Sequence, residues 1–211
     1  MANRKTRWAW SVVLAAVVLL GSATASAGPN DVPHLYRQTY RLEAKGKHAA
    51  ALAAMRKIQQ HVGETYFVLA RTGWLAHLAG QPAVSEAAYR KAIQLAPKAI
   101  EPRVGLTLPL LVQKKWRDLE RASRDALQLD PLNETARARL AHAHYMVKNY
   151  PDSATVYRGL VEQYPANLNY QTGLGWALAR MGRVKEGKEL FRAVLAVSPD
   201  NPNALDGIAL P

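Results

Sequence analysis

Residues 168–201 read LNYQTGLGWALARMGRVKEGKELFRAVLAVSPDN. Leu174 and Gly175 belong to a first helical pattern, Gly182 interrupts it, and Phe191 and Val194 sit at helical spacing in a second pattern that Pro199 ends. A glycine between two amphipathic segments supplies the left-handed backbone that stops one helix and turns the chain. A proline disfavours a helical residue before it, so the second helix must stop short of Pro199. The stretch reads as one helical hairpin.

Working outward, Pro97, Pro131 and Pro165 precede Pro199 at the same 34-residue interval, and Gly63 takes the proline's place one step earlier. Windows 32–65, 66–99, 100–133, 134–167 and 168–201 align without insertion. Leu35, Leu69, Leu140 and Leu174 recur with Gly73, Ala141 and Gly175 on one face of the first half. Gly46, Gly80 and Gly182, with Lys114 and Lys148 in the same slot, separate the halves. Pro82 and Pro151 open second helices, where a missing N–H costs nothing. Ala51 and Met55, Tyr89 and Ala92, Ala126 and Leu127, Tyr157 and Leu160, and Phe191 and Val194 are the expected knobs of the second half. Self-similarity at this period is the signature of stacked helical hairpins. Residues 202–211 start one more first helix through Ala204, Leu205 and Ile208, too short for a full polar cap.

These residues resemble the tetratricopeptide repeat family. Its order of leucine, glycine or alanine, then alanine, aromatic, alanine and proline is best met in the second and fifth windows. Leu174-Gly175, Gly182, Phe191 and Pro199 form the strongest single match. The resemblance covers residues 32–201 and implies an all-α, right-handed superhelical solenoid of about five antiparallel helix-turn-helix repeats. The third window departs from the pattern, with Leu119 in a small-residue slot, Ser123 in the aromatic slot and Pro109 inside its first helix. Pro109 is expected to remove the bond to the Gly105 carbonyl and to kink or shorten that helix, at a cost of about 3 kcal/mol unless packing compensates.

At the N-terminus Arg4, Lys5 and Arg7 precede an apolar run from Trp8 to Gly21, followed by Ala25-Ser26-Ala27. This order predicts a secretory signal peptide over residues 1–27, cleaved after Ala27, and a repeat domain over 28–211. An uncleaved anchor is the alternative, although the apolar run is shorter than the roughly 18 residues of a membrane-spanning helix. Either reading places the repeats outside the cytoplasm, in the periplasm or secreted, with no stable membrane insertion once the signal is cleaved. There is no cysteine to form a disulfide or carry a lipid. The formal net charge is +12, and removing residues 1–27 leaves 25 basic and 16 acidic side chains. Most of that excess lies in residues 32–99. It points to an acidic partner or an anionic surface, or else to a solvated basic face.

Catalytic motifs are not evident. The six histidines lack metal-ligand spacing, and His142 and His144 lie about 200° apart around a helix. There is no phosphate-binding glycine loop, nucleophile elbow or HExxH stretch, so no enzyme, cofactor or metal is expected. The family resemblance implies instead that ligand contacts come from the second, fifth, sixth, ninth, twelfth and thirteenth positions of each window, on the inner face of the first helices. Here that stripe carries Tyr36, Arg37 and Tyr40, then Arg71, Trp74 and His77, then Arg139, His142 and Tyr145, then Trp176 and Arg180. The third window offers Val104, Leu108, Leu111 and Val112. The groove is expected to be aromatic and basic at both ends and apolar between. No window has asparagine at its ninth position, so the lysine and asparagine clamp by which some family members hold a terminal carboxylate is not expected.

A competing reading packs the rings against the preceding repeat instead of a ligand. Two functions follow for the groove. One is a non-enzymatic scaffold that holds an acidic peptide or helix of another envelope protein; the other is capture of an anionic glycan or cell-wall polymer by residues 32–99. Export argues against nucleic acid as a partner.

Overall fold

A computed structural model describes residues 31–211, and the expected signal segment at 1–27 lies outside them. The described residues form α1 (Val32–Ala44), α2 (His48–Val62), α3 (Tyr66–Leu78), α4 (Pro82–Leu95), α5 (Glu101–Val112), α6 (Trp116–Leu129), α7 (Glu134–Met146), α8 (Tyr150–Gln163), α9 (Leu168–Arg180), α10 (Val184–Val197) and α11 (Pro202–Ile208). No strand occurs among them. Odd-numbered helices are the first, and even-numbered helices the second, of successive hairpins.

The slot between halves demands a left-handed backbone in every repeat. Gly46, Gly80 and Gly182 adopt positive φ there, and so do Lys114 and Lys148, at 56° and 65°. An L-residue with a side chain pays about 1–2 kcal/mol for that conformation, partly offset by the greater unfolded-state freedom of glycine. A Cβ built on any of the three glycines meets nothing within 4 Å, so backbone preference alone decides the slot. Lys114→Gly and Lys148→Gly are each expected to raise stability by about 0.5–1 kcal/mol. Urea denaturation of the single and double variants measures this, and an unchanged midpoint would contradict it.

Helix starts follow the residue that ends each window. Asn133 and Asn201 accept from the N–H groups of Ala136 and Ala204 at 3.0 Å, Asn167 from that of Asn169 at 3.1 Å, and Thr65 from that of Val68 at 3.3 Å. Such caps satisfy amides the helix itself leaves free. Ala99 holds the same place before α5 and has no side-chain acceptor to offer; α5 starts at Glu101, with Ile100 as an uncapped flanking residue. Pro109 does not shorten its helix. The helix passes through Pro109 and ends at Val112, the same position in its window as Leu78 and Met146 in theirs. Its one-residue deficit is at the uncapped start. Burial of Pro109 and its neighbour Leu110 compensates for the lost backbone bond.

Within each hairpin, small residues bring the two helices close. The Ser85 hydroxyl donates to the Gly73 carbonyl at 2.7 Å, and Ser153 donates to that of Ala141 at 2.9 Å. Between hairpins, a ring on the second helix presses on a glycine of the next first helix: Tyr89 on Gly105, Tyr157 on Gly173 and Phe191 on Gly207. Cβ atoms at Gly105 and Gly173 would stand 2.5 Å from tyrosine carbons. Where the repeat carries Met55 or Ser123 in place of the ring, the residue in the glycine position is Arg71 or Arg139. First helices also touch one another, α3 with α5, α5 with α7, α7 with α9 and α9 with α11, whereas second helices do not pack together in this way. The stack therefore curves with its first helices on the inside.

Of the expected knobs, all are buried except Leu127, which is half-buried. The last of them, Phe191 and Val194, form a core with Ala204 of α11, against which Trp176 and Ile208 pack. Thus α11 covers much of the last apolar face.

Candidate binding groove

The inner stripe separates into two charged clusters. At the first end, the Tyr36 ring meets Phe67 edge-on at 5.7 Å, and Tyr40 and Arg37 are exposed. The Arg71 guanidinium lies 4.5 Å over the Tyr40 ring, a cation–π arrangement. Arg71 also pairs with Glu43 at 2.7 Å, and the Trp74 indole N–H donates to the other Glu43 oxygen at 2.6 Å. Desolvation raises the Glu43 pKa, but the hydrogen bonds from Arg71 and Trp74 outweigh it and hold the carboxyl below its ordinary value. Trp74 stays 36% exposed, with His77 6.1 Å from it.

The other cluster spans α7 and α9. His142, Tyr145, Trp176 and Arg180 line a pocket of about 410 Å³ together with Tyr157, Asn169, Thr172, Gly173 and Asn203. The Arg180 Nε donates to the Tyr145 hydroxyl at 3.3 Å, and its guanidinium stands 5.9 Å from the Trp176 ring centre. Trp176 rests against Phe191 at 5.4 Å and donates its N–H to the Asn203 carbonyl at 3.2 Å. A second recess of about 460 Å³ shares His142, Tyr157 and Asn169 and adds Arg139, Leu111 and Tyr170. His142 meets Trp116 edge-on at 5.6 Å.

Electrostatics link this cluster to the first. Desolvation lowers the pKa of Arg139. Desolvation, and after it the Arg139 charge, lower both His142 and His77. These imidazoles are therefore neutral at pH 7, and each can donate one N–H and accept at the other nitrogen. Burial pushes the Tyr157 hydroxyl up to about 12, so it too is neutral.

Every residue expected on the stripe can thus be placed, but the charge pattern differs from the expectation. The first end is less basic than the sequence suggests, because Glu43 answers Arg71. Glu43 occupies the twelfth position of its window and Asn169 the second of its own, so the positional rule that found the arginines also reaches these two. Tyr157 stands in a second helix and was read as a packing knob; it both packs and lines the groove. The middle of the stripe is apolar, with Val104, Leu108 and Leu111 half-buried and Val112 exposed. Neither tryptophan is sealed from solvent. No group of three or more metal-ligating side chains occurs among the described residues, and none of the described helices is long and apolar enough to cross a membrane.

Comparisons with known proteins agree with this architecture. Residues 168–201 match the family model for the tetratricopeptide repeat. Among solved structures, residues 41 to the end of MamA from Desulfovibrio magneticus RS-1 superpose with a TM-score of 0.75 at 16% identity, over 84% of this chain and 99% of that one. A tetratricopeptide repeat protein from Parabacteroides merdae gives 0.76 at 14% identity, over 84% of this chain and 71% of its own. YrrB, described as a tetratricopeptide repeat protein with an unusual peptide-binding site, gives 0.73 at 14% identity, over 87% of this chain and 94% of its own. No curated protein matches by sequence. The fifth hairpin is the one the family model matches, and the described residues as a whole share the helical-hairpin fold of these solved repeat proteins.

Proposed function

We propose that this protein is a non-enzymatic scaffold of the cell envelope, which holds a peptide or helix of another protein against the first helices of its fourth and fifth repeats. The observation that carries this reading is the pocket formed by His142, Tyr145, Trp176 and Arg180. Aromatic walls, an amide and a guanidinium are the chemistry of recognition: rings supply contact area, and directed donors fix orientation. The peptide-binding site described for YrrB, a protein of the same fold, supports a peptide as the occupant. The export reading rests on Arg4, Lys5, Arg7, the apolar run and Ala25-Ser26-Ala27. N-terminal sequencing of the protein made in its own cell is expected to begin at Gly28.

The glycan reading depends on free charge in residues 32–99. Arg71, Arg90 and Lys91 are ion-paired there with Glu43, Glu86 and Glu64, the three acids already counted in the net excess, so the other basic side chains of that segment still carry the glycan reading. The aromatic pocket between the fourth and fifth repeats lies outside that segment and favours a protein partner.

Affinity capture from envelope extract, with wild type beside a Trp74→Ala/Trp176→Ala double variant, tests the groove. A buried aromatic anchor is worth about 2 kcal/mol or more, so captured partner is expected to fall roughly 30-fold or further. Equal capture by a variant that melts normally would remove the groove assignment. Binding that collapses with added salt while ignoring both tryptophans would favour the glycan.

A further inference from the structure

The repeat symmetry supplies an internal comparison for the two groove arginines. Arg71 and Arg139 occupy the sixth position of their windows, and each follows a repeat that lacks the ring which elsewhere fills that space. Their surroundings differ at several places, and one of them decides whether a counter-charge is present. The twelfth residue of the preceding window is Glu43 for Arg71 and Leu111 for Arg139. Arg71 and Glu43 pair at 2.7 Å with their side chains only 15% and 22% exposed, so this is a largely desolvated charge-assisted contact.

Arg139 makes no ion pair or hydrogen bond among the described residues, although it too is partly withdrawn from water. The nearby Glu134 is engaged by the Tyr170 hydroxyl at 2.7 Å. A half-buried guanidinium without a counter-charge is costly, and a partner that brings a carboxylate relieves that cost. His142 stands in the ninth position, where Trp74 stands beside Arg71, so a second ring N–H faces the same region.

We propose that Arg139 seats an aspartate or glutamate side chain of the bound peptide, docked as Glu43 docks on Arg71. This rests on the scaffold reading above and gives it a chemical selectivity. The acid lies in the recess beside Leu111 and Tyr170, and flanking apolar residues of the peptide reach Trp176.

The test pans a phage-displayed random dodecapeptide library on the purified protein. Selected peptides are then measured by fluorescence polarisation against wild type, Arg139→Gln, Leu111→Glu and Trp176→Ala. Selected peptides are expected to share an acidic residue. Its change to the amide should weaken binding to wild type about tenfold or more, and have no further effect on Arg139→Gln. Leu111→Glu supplies the missing carboxylate internally, so it should weaken acidic peptides to a similar extent while raising the melting temperature. Peptides that lose binding with Trp176→Ala yet ignore loss of their own carboxylate would overturn the acidic seat and leave the scaffold standing. Peptides indifferent to all three substitutions, or no selected peptides at all, would overturn both. A Leu111→Glu protein that melts below wild type would contradict the pairing independently of any peptide.

Discussion

Phe191→Ala is expected to cost about 3–5 kcal/mol and to loosen the end of the array at which the pocket sits. The ring is completely buried and touches three partners: the Gly175 backbone of its own hairpin, Gly207 of α11, and Trp176. A Cβ at Gly175 would lie 2.7 Å from the ring, so both helices have closed around it and cannot close further when it is removed. The cost is therefore transfer energy plus a cavity. The seven-residue α11 is far too short to persist alone, so its helicity depends on this contact. Its departure would also take away the Asn203 carbonyl that orients the Trp176 indole. Hydrogen exchange should show loss of protection in α10 and α11 with α1 to α4 little affected, because repeat arrays distribute stability among neighbours. A loss below about 1 kcal/mol, or exchange that rises uniformly, would show that the ring does not clamp this end.

Gly173→Arg should be comparably damaging, by about 3 kcal/mol or more, and yet be partly rescued by Tyr157→Ser. The Tyr157 ring occupies the space that any side chain at 173 would need, and the first added atom would stand 2.5 Å from it. Overpacking of this kind forces side chains off their rotamers and shifts backbone. The protein already contains the alternative solution, Ser123 ahead of Arg139, so transplanting both residues should restore a viable interface. A double-mutant cycle is expected to give a favourable coupling of about 1–3 kcal/mol. Additive single effects would mean that ring and glycine are not a complementary pair.

The same pair shows what is legible in a repeat sequence. Tyr89, Tyr157 and Phe191 follow the family pattern and were readable as knobs, and Gly105, Gly173 and Gly207 lie at a constant later position. That each ring inserts against each glycine requires knowing how one hairpin sits on the next. The groove arginines were readable from position, but Glu43 was passed over because it stands apart from Arg71 by most of a repeat. Pro109 was read by its local cost with the proviso that packing could offset it, and only the fold shows Pro109 and Leu110 buried.

Helix number, order and turn positions were dictated by the chain's own periodicity, because helix formation, glycine turns and proline stops depend on residues a few places apart. Which charges are answered was decided only by the stacked hairpins. Arg71 and Arg139 look alike in their windows, and only the tertiary fold sets a carboxylate against one and a leucine beside the other. Electrostatic energy depends on distance and burial, and both are properties of the assembled stack.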